Sequence, residues 1–470
     1  MSPIRFSFIP SSLSCSAGKL SALFVLAAAA LAPLAAGAAT ARQAYVTQEV
    51  YTQNHPYKEQ LPQELFTKMD KMALSPFMFF RGTAHLYHKD MRSVSSAFLT
   101  SGTSLVWLDG DMHLQNFGAV LNSAGNAVFD TNDFDEGAWG PFNLDVYRLA
   151  TSIQLAAKEM GVSSADRDSL VRTFAESYSK KMTDFKGSDE ELNYGLSSSS
   201  NTSGVVQDTV NKVAGNTRSS FLGKYTTSAS PRRFQTTAEL ITVSSSTSSA
   251  IATAMSSYIG SIPASKLPAS ASYFNIKDIR LKLGSGTGSL GRYRYWILVE
   301  GASSSNSDDV ILEMKESVAS AVNLSNQNTM PASVYNSHFG YRVVRSLKAQ
   351  TSYADPLAGY TSMSGKAFFI REKSAFAQDF DYTLLTSYGK WSTAVSYFGK
   401  ALAKNHALSD KDYDPNLIGS SVDKAVSDAV TGYTSAFKDE VMYFARDYAA
   451  QVELDWQEFV KARNAGATLY

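Results

Sequence analysis

Apolar and polar residues alternate along this chain with two periods, one typical of helices and one typical of strands. The longer period predicts helices at residues 58–75, 146–160, 166–182 and 339–349, and from about residue 384 to the end. Shorter apolar runs predict strands at residues 105–108, 119–121, 127–129, 275–283, 292–300, 310–316 and 367–371. Because the two kinds of segment are interspersed, we expect an α+β fold with a helical C-terminal part.

The helices predicted after residue 384 carry many of the large apolar side chains. Aromatic and aliphatic residues there fall at helical spacing, which indicates that they face a core. The expected core residues are Trp391, Tyr397, Phe398, Leu402, Tyr443, Tyr448 and Trp456.

Residues 187–250 differ from the rest of the chain because serine and threonine dominate them. Ser197 to Ser200 and Ser244 to Ser246 are uninterrupted serine runs. Such low-complexity composition is typical of loops. We therefore expect a mobile or peripheral insertion with short helices, bounded at residues 186–270.

The first 38 residues have the pattern of an export signal. Arg5 and Lys19 are the only charged residues before an apolar run from Leu20 to Ala32, and small residues follow. The run is short for a membrane span, so we expect a secretory signal peptide and not an anchor. The protein would then be periplasmic or secreted, with no membrane span after cleavage. Cys15, the one cysteine, would be lost, so no disulfide is expected.

The charge balance restricts the class of partner. Lys and Arg together number 43, as do Asp and Glu, so the formal net charge is zero. A dedicated nucleic-acid binder usually has a basic excess, and we expect no nucleic-acid partner. The 44% hydrophobic content indicates a globular chain and not a disordered one.

Potential catalytic groups first concentrate after the predicted strand at residues 105–108. Asp111, His113 and Asn116 follow it in the segment Asp-Gly-Asp-Met-His-Leu-Gln-Asn. An aspartate with an asparagine five positions later is the spacing by which kinase-type sites hold a hydroxyl and a magnesium ion. Asp111 would accept the proton, Asn116 would bind the metal, and His113 would either contact substrate or metal or orient the loop. The alternative is an Asp- and Asn-rich turn that only caps helices.

A second acidic segment follows the hairpin predicted at residues 119–129. Asp133 and Asp135 lie there in the sequence Asp-Thr-Asn-Asp-Phe-Asp-Glu. Phosphoryl transfer depends on positioning and charge neutralisation, for which such carboxylates hold metal ions. We expect Asp133 to be a metal ligand, and Asp135 to be either a further ligand or a group that orients the loop.

A glycine-rich turn and a strand lysine lie much later in the chain. Gly284, Gly286, Gly288 and Gly291 separate two predicted strands, and Lys315 lies on the next strand. Closely spaced glycines let backbone amides approach a nucleotide phosphate, as in ATP. An ordinary hairpin and a solvated surface lysine are the alternatives. No Gly-Lys-Ser/Thr follows, so this is not a Walker A loop.

Arg81 follows three aromatic residues and precedes Gly82. It would serve either as a clamp for a phosphate or carboxylate, or as one partner of a buried ion pair with Asp145. Asp145 itself opens a predicted helix, where a negative charge complements the helix dipole.

These motifs together resemble the bacterial DUF2252 family over roughly residues 60–460. The resemblance rests on Phe-Phe-Arg-Gly at 79–82, on the segments at 110–118, 132–136 and 141–149, and on 284–291 with Met-Lys-Glu at 314–316. The first two acidic segments are also similar to the catalytic and magnesium motifs of aminoglycoside phosphotransferases and choline kinases. That similarity implies that Asp111 is the base, that Asn116 and Asp133 bind Mg²⁺, and that Asp145 is a structural aspartate.

The order of the motifs departs from that of ordinary kinases, in which the glycine loop and lysine come first. We therefore expect a permuted, two-lobed kinase-like fold, in which no obvious glutamate pairs with Lys315. The expected parts are the signal peptide at 1–38, a catalytic-loop segment at 39–185, the Ser/Thr-rich insertion at 186–270, a glycine-loop β lobe at 271–375 and a helical segment at 376–470.

The leading functional hypothesis is a phosphotransferase that uses Mg²⁺ and ATP or another nucleotide. Its acceptor would be a hydroxyl of a small molecule or of a protein. The first alternative is a catalytically inactive kinase-like module that binds a ligand or partner. The second is a metal-dependent phosphoesterase built on Asp111, His113, Asp133 and Asp135.

Overall fold

Helices make up about 51% and strands about 14% of this computed structural model, which confirms the α+β class. The structure describes residues 34–197 and 200–470. Most of the expected signal peptide, up to residue 33 and including Cys15, lies outside the described residues, as do Ser198 and Ser199. No helix in the described parts of the chain is both long and apolar enough to cross a bilayer.

The strands form three antiparallel sheets. Strands β1 and β4 pair alone, β11, β2 and β3 form a three-stranded sheet, and the large sheet has the order β5-β6-β7-β8-β10-β9. The strands are β1 (Val106–Leu108), β2 (Phe117–Leu121), β3 (Ala127–Thr131), β4 (Ala138–Gly140), β5 (Leu240–Thr242), β6 (Ile276–Lys282), β7 (Arg294–Val299), β8 (Val310–Ser317), β9 (Gly359–Met363), β10 (Lys366–Glu372) and β11 (Ala377–Asp379).

The helices lie mainly before residue 262 and after residue 338. They are α1 (Leu34–Asn54), α2 (Pro62–Ala73), α3 (Pro76–Gly82), α4 (Ala84–Asp90), α5 (Asn143–Glu159), α6 (Ser164–Phe185), α7 (Gly204–Gly215), α8 (Arg218–Tyr225), α9 (Ser245–Ser261), α10 (Phe339–Gln350), α11 (Tyr388–Leu408), α12 (Val422–Val430) and α13 (Thr434–Asn464). Short 3-10 turns connect several of them. The helices and strands that the sequence pattern predicts outside residues 187–250 are present.

The six-stranded sheet has apolar residues on both faces because alternate residues of a strand point to opposite sides. Ile297 of β7 belongs to a core shared with Ile251 and Tyr258 of α9. Its neighbour Trp296 belongs to a separate core, with Leu222 of α8. The sheet is therefore buried between α9 and the segment that contains α8.

A third and larger core belongs to the helices. It joins α5, α6, α11 and α13 with the hairpin of β2 and β3. In α5 every residue from Asn143 to Ala157 is buried, so this helix runs through the centre of the helical body. The first helix is tied in by Arg42, whose guanidinium donates to Asp455 of α13 at 2.9 Å and to Asp90 of α4 at 2.8 Å.

Residues 187–250 contain the short helices that the sequence predicts, but they also contribute a strand to the large sheet. This segment contains α7, α8, β5 and the start of α9, and β5 pairs with β6 as an edge strand of the large sheet. The serines obscure the helical pattern but support the ends of helices, since the Ser244 hydroxyl accepts the amide N–H of Thr247 at 3.1 Å. The composition therefore did not reveal that this segment carries an edge strand of the large sheet.

The prediction is wrong for one of the expected core residues in the C-terminal helices. Tyr443 is 44% exposed, whereas Trp456 is partly buried and packs against the helical core. The remaining expected core residues are buried, namely Trp391, Tyr397, Phe398, Leu402 and Tyr448. In a helix of 31 residues, one face remains in contact with solvent even where the sequence is aromatic.

Candidate functional site

One cleft brings the acidic segments and the glycine-rich turn together. It is bounded by the loops after β1 and β3 on one side and by the turn between β6 and β7 on the other. The cleft has a volume of about 60 Å³ and is partly open to solvent. The lining residues are Gln53, Lys68, Arg81, Gly82, Ala84, His85, Asp111, His113, Asn116, Asp133, Asp135, Glu136, Gly286, Thr287, Gly288, Ser289, Arg292 and Ala321.

Asp145 fixes the backbone of the loop that carries Asp111. Both carboxylate oxygens of Asp145 accept backbone N–H groups, from Asp109 at 2.7 Å and from Gly110 at 3.0 Å. Gly110 adopts a φ of +84°, and a Cβ there would lie 2.4 Å from the carbonyl oxygen of Glu136. The sharp turn therefore needs glycine, and Asp145 holds it in place.

Asp111 points into the cleft and is paired with Arg148 of α5. The guanidinium Nε donates to Asp111 Oδ1 at 2.8 Å, and Arg148 itself is fully buried. Burial raises the pKa of Asp111 to about 7, although the charge of Arg148 opposes the shift. A carboxylate with a pKa near neutrality is suited to accept a proton at ordinary pH.

His113 and Asn116 shape the same loop. His113 Nδ1 accepts the N–H of Gln115 at 3.2 Å, so the neutral ring carries its proton on Nε2, which lies 4.0 Å from Asp111 Oδ2. Burial, together with Arg81, holds the pKa of His113 well below its usual value. Asn116 Nδ2 donates to the carbonyl of Asp111 at 2.7 Å, which leaves the amide oxygen as the ligand that Asn116 can offer to a cation.

The second acidic segment meets Lys315. The ammonium of Lys315 lies 3.3 Å from both carboxylate oxygens of Asp133 and also contacts Asp135. Desolvation in the cleft opposes ionisation of Asp133, but Lys315 and Arg371 hold its pKa below the usual value. Burial and the neighbouring charge of Asp133 raise the pKa of Asp135. The two carboxyl groups are therefore tuned in opposite directions.

Lys315 is 6% exposed, which excludes a solvated surface position. Its partners are the two aspartates and not a glutamate. Helix α10 does not supply a partner for Lys315. Its buried Arg342 instead donates to the carbonyls of Asp135 and Gly137. The helix thus holds the backbone of the acidic segment.

The glycine-rich turn is anchored by α2. Lys68 Nζ donates to the carbonyl of Gly288 at 2.8 Å, Lys71 donates to the carbonyl of Gly284 at 3.0 Å, and Glu64 accepts the N–H of Gly284 at 2.9 Å. The carbonyls are occupied in this way, whereas the N–H groups of residues 286–289 have no acceptor within the described parts of the chain. Consecutive free amides of this kind form an anion-binding concavity.

The four predicted glycines have different roles in the turn. Gly286 and Gly288 line the cleft, whereas Gly284, Gly291 and Lys315 are not among its lining residues. Gly291 has a φ of +98°, and a Cβ there would lie 2.6 Å from the Leu65 side chain. Gly284 and Gly291 therefore shape the turn, and only the other two can approach a ligand directly.

Arg81 lines the cleft and does not pair with Asp145. Its Nε lies 3.5 Å from His113 Nε2, but that nitrogen carries the ring proton, so the two side chains are in contact without a hydrogen bond. The predicted ion pair with Asp145 is therefore wrong, and the guanidinium of Arg81 lines the cleft instead.

Lys68 and Arg292 also line the cleft, and the sequence reasoning overlooked both. Burial lowers the pKa of Lys68 to about 7. A sequence signal existed, because Lys68 shares a helical face with Leu65 and Met72, which are both fully buried. Arg292 follows the glycine turn directly, and its Nη2 lies 3.8 Å from Glu136 Oε1.

The donors in the cleft suit a hard cation and an anion, although they do not form a finished metal cage. Carboxylate and amide oxygens are the ligands that Mg²⁺ prefers. In residues 34–197 and 200–470, no three His, Cys, Asp or Glu side chains are arranged to hold a metal ion. The ammonium of Lys315 instead occupies the position between Asp133 and Asp135.

No curated protein and no solved structure is detectably similar to this chain. Residues 60–462 match the family described as an uncharacterized protein conserved in bacteria, DUF2252. The match spans most of the chain and includes every residue of the cleft except Gln53. The protein therefore belongs to the DUF2252 family.

Proposed function

We propose that the cleft is the active site of a magnesium- and nucleotide-dependent phosphotransferase. The observation that carries the proposal is the meeting of Lys315 with Asp133, 182 residues earlier in the chain, on the same cleft that Asp111 and the glycine-rich turn face. An anion-binding half and a carboxylate half around one phosphate-sized space are what phosphoryl transfer requires.

Each group has a role in this proposal. Asp111 accepts the proton of the acceptor hydroxyl, which activates the oxygen as nucleophile. The free amides at 286–289 and the cations Lys68, Arg81 and Arg292 bind phosphate oxygens. Asn116 and Asp133 hold Mg²⁺, with Asp135 as a further ligand. The bound ion would supply neutralisation of the charge on the phosphate oxygens.

We further propose that the fold is a permuted, two-lobed, kinase-like arrangement. It is supported by the separate cores of the helical body and the six-stranded sheet, with the cleft where the two meet. It is further supported by Asp145, which holds the catalytic loop through two backbone amides. In this arrangement Lys315 is anchored by Asp133 and Asp135, in place of the glutamate partner in ordinary kinases.

A whole nucleotide is larger than the cleft. A volume of about 60 Å³ suits a phosphate group but is far below the roughly 300–1,000 Å³ of ordinary ligand pockets. Nucleotide binding therefore requires the rest of the molecule to lie in the mouth of the cleft, or the sheet to move away from the helical body.

A second candidate is a kinase-like module that binds a nucleotide without turnover. It is favoured by the ion pairs already made inside the cleft. Arg148 is bonded to Asp111, and Lys315 to Asp133. Each pair stabilises the ionised carboxylate but competes with the group that the carboxylate would serve.

The test measures ATP binding by calorimetry with and without Mg²⁺, and then phosphate transfer or release. Asp133→Asn should abolish the Mg²⁺-dependent part of binding, and Asp208→Asn, an exposed position on α7, should leave it unchanged. Binding without turnover would select the inactive module. Hydrolysis of a phosphoester without nucleotide would select a phosphoesterase, and no binding of any nucleotide would overturn the proposal.

A further inference from the structure

A second and larger pocket lies at the other end of the β2–β3 hairpin from the cleft. Its volume is about 310 Å³, and it shares no lining residue with the cleft. Asn116 and Asp133 line the cleft at the open end of the hairpin, whereas Asn122 and Asn126 line the second pocket at its turn. Because β2 has five residues, the two ends are about 17 Å apart. This second space, called the hairpin pocket below, is therefore separate from the proposed active site.

The hairpin pocket has the size of a site for a small organic molecule. Ordinary ligand pockets have volumes of roughly 300–1,000 Å³, and this one falls at the lower end of that range. Its walls come from the β2–β3 turn, the segment at 193–197, the loop at 352–353 after α10, and α11. The space therefore admits a molecule of about the size of one sugar ring.

The charges of the hairpin pocket cancel each other. Asp130 of β3 and Lys404 of α11 are the two charged side chains among the described lining residues, and they are bonded to each other. They are 8% and 4% exposed, and Lys404 also donates to the carbonyl of Gln350 at 3.2 Å. An ionic ligand would have to separate a buried ion pair, which is strongly unfavourable. The lining therefore favours an uncharged ligand.

Two asparagines on opposite walls hold amide donors ready for such a ligand. Asn122 Oδ1 accepts the N–H groups of Ala124 at 3.1 Å and of Asn126 at 3.0 Å. Asn193 Oδ1 accepts the hydroxyl of Tyr353 at 3.0 Å. With their oxygens engaged, both side chains have an NH₂ group left, and neither group has an acceptor in the described parts of the chain. Hydroxyl oxygens accept such N–H groups.

Tyr353 braces the hairpin pocket in an unfavourable backbone conformation. Its φ is +56°, which is uncommon for a residue other than glycine. Its hydroxyl donates to Asn193, and its carbonyl accepts the N–H of Ser123 at 3.1 Å, so it joins the loop after α10 to two other walls. The side chain is 49% exposed, so core packing does not impose this conformation. Strained residues of this kind cluster at ligand clamps.

We propose that the hairpin pocket binds one ring of a neutral sugar. The hydroxyl oxygens of the sugar would accept the NH₂ groups of Asn122 and Asn193. Its C–H groups would pack against the apolar part of the lining, to which Phe129 and Tyr194 contribute aromatic rings. The proposal does not depend on the phosphotransferase activity, because the hairpin pocket and the cleft have no lining residue in common.

Two other classes of ligand fit the lining less well. A phosphate or carboxylate would need an unpaired cation, and Lys404 is already paired. A purely apolar molecule would cover the amide donors and the ion pair without replacing the hydrogen bonds that water makes to them, which is unfavourable. A molecule with several hydroxyl groups on an apolar ring satisfies both parts of the lining.

The test uses D-glucose, D-galactose and N-acetyl-D-glucosamine, with binding detected by saturation-transfer NMR and measured by titration. At least one of the three should bind to the full-length protein without nucleotide or Mg²⁺. The uronic acid that matches the bound sugar should bind more weakly, because its carboxylate has no unpaired cation to meet. Asn193→Ala should weaken binding by roughly twofold to tenfold, as expected for the loss of one uncharged hydrogen bond.

Two variants serve as controls. Asn464→Ala removes an exposed asparagine at the end of α13 and should bind the sugar as the wild type does. Asp133→Asn changes the cleft, so retained sugar binding in that variant separates the hairpin pocket from the proposed active site. If Asn193→Ala does not fold, Tyr353→Phe takes its place, because it removes a single oxygen atom that positions Asn193.

Three outcomes would overturn the proposal. The first is that none of the three sugars binds. The second is equal sugar affinity in the Asn193→Ala and Asn464→Ala proteins. The third is binding that Asp133→Asn abolishes and Asn193→Ala leaves intact, which would place the sugar in the cleft.

Discussion

Arg148 donates to Asp111 at 2.8 Å from a helical position with no exposed surface. Its guanidinium also lies 4.1 Å from the centre of the Phe80 ring and donates to the Phe80 carbonyl at 3.0 Å. The acidic group at the centre of the cleft therefore depends on a cation that the helical core holds rigidly.

Arg148→Met should destabilise the protein strongly. The change leaves Asp111 without its partner, and breaking a buried ion pair costs about 3–5 kcal/mol. Chemical denaturation measures the loss. Arg172→Met removes a partly exposed pair with Asp439 and should cost less than about 1 kcal/mol. Similar losses in both variants would contradict the role given to Arg148.

The activity of the proposed enzyme should peak near pH 7. Asp111, with a pKa of about 7, must lose its proton to act as base, so the rate rises with pH through that value. Lys68, also with a pKa of about 7, must keep its proton to attract phosphate, so the rate falls above it. Lys68→Arg should extend the alkaline limb, because arginine stays protonated. The measurement is kcat/KM against pH, and an unchanged alkaline limb would exclude Lys68 as the responsible group.

Stability should also respond to pH through Asp111. Its pKa is 3.8 in an ordinary setting and about 7 in the folded protein. Between these values the folded state binds more protons than the unfolded state, so the contribution of Asp111 to stability is greatest below about pH 4 and is lost as pH rises through 7. Asp111→Asn should flatten this part of the stability profile, as measured by denaturation at several pH values. A profile that keeps its slope in the variant would assign the slope to another group.

Gly286→Ala should weaken both the fold and the binding of nucleotide. The φ of Gly286 is +80°, a conformation that costs an L-residue about 1 kcal/mol or more. Gly260→Ala on α9 is the matched control, because a Cβ there meets open space and alanine stabilises a helix by about 0.5–1 kcal/mol. Melting temperatures of the two variants should therefore shift in opposite directions. Normal ATP affinity in Gly286→Ala would remove the turn from the proposed phosphate site.

Lys315→Met should make the protein more responsive to magnesium. Without the ammonium, Asp133 and Asp135 repel each other, and a divalent ion can take its place. The variant should melt at a lower temperature than the wild type, and Mg²⁺ should raise that temperature by a larger step. Equal Mg²⁺ effects in the two proteins would show that this pair does not bind the ion.

Local patterns were sufficient to predict most strands and the hairpin of β2 and β3. The motifs around Asp111 and Asp133 also identified two segments that meet in one cleft. What local patterns lacked was the partner of each charge. The sequence motifs do not predict that Lys315 pairs directly with Asp133 and Asp135, or that Arg148 pairs with Asp111. Long-range pairing leaves no trace in the residues next to either partner.

The parts of the fold that the sequence pattern missed have a common physical cause. The serine- and threonine-rich composition of residues 187–250 is typical of loops, but Ser244 caps a helix whose buried face is carried by Ile251, Met255 and Tyr258. Composition averages over both faces of a helix, whereas packing depends on one face alone. The prediction that Tyr443 lies in the core is wrong for the converse reason. Its side chain is aromatic but lies on the outer face of the helix, where it stays in solvent.

The division of the helical body between the two ends of the chain has a consequence for how the protein is made. The strands β5 to β10 and α9 are contiguous, so the sheet is complete as soon as residue 372 has emerged from the ribosome. Helices α5 and α6 must wait for α11 and α13 before their apolar faces are covered. Until synthesis ends, those faces are open to chaperones and to aggregation, and a chain truncated before α11 would keep a folded sheet beside an exposed, unfinished body.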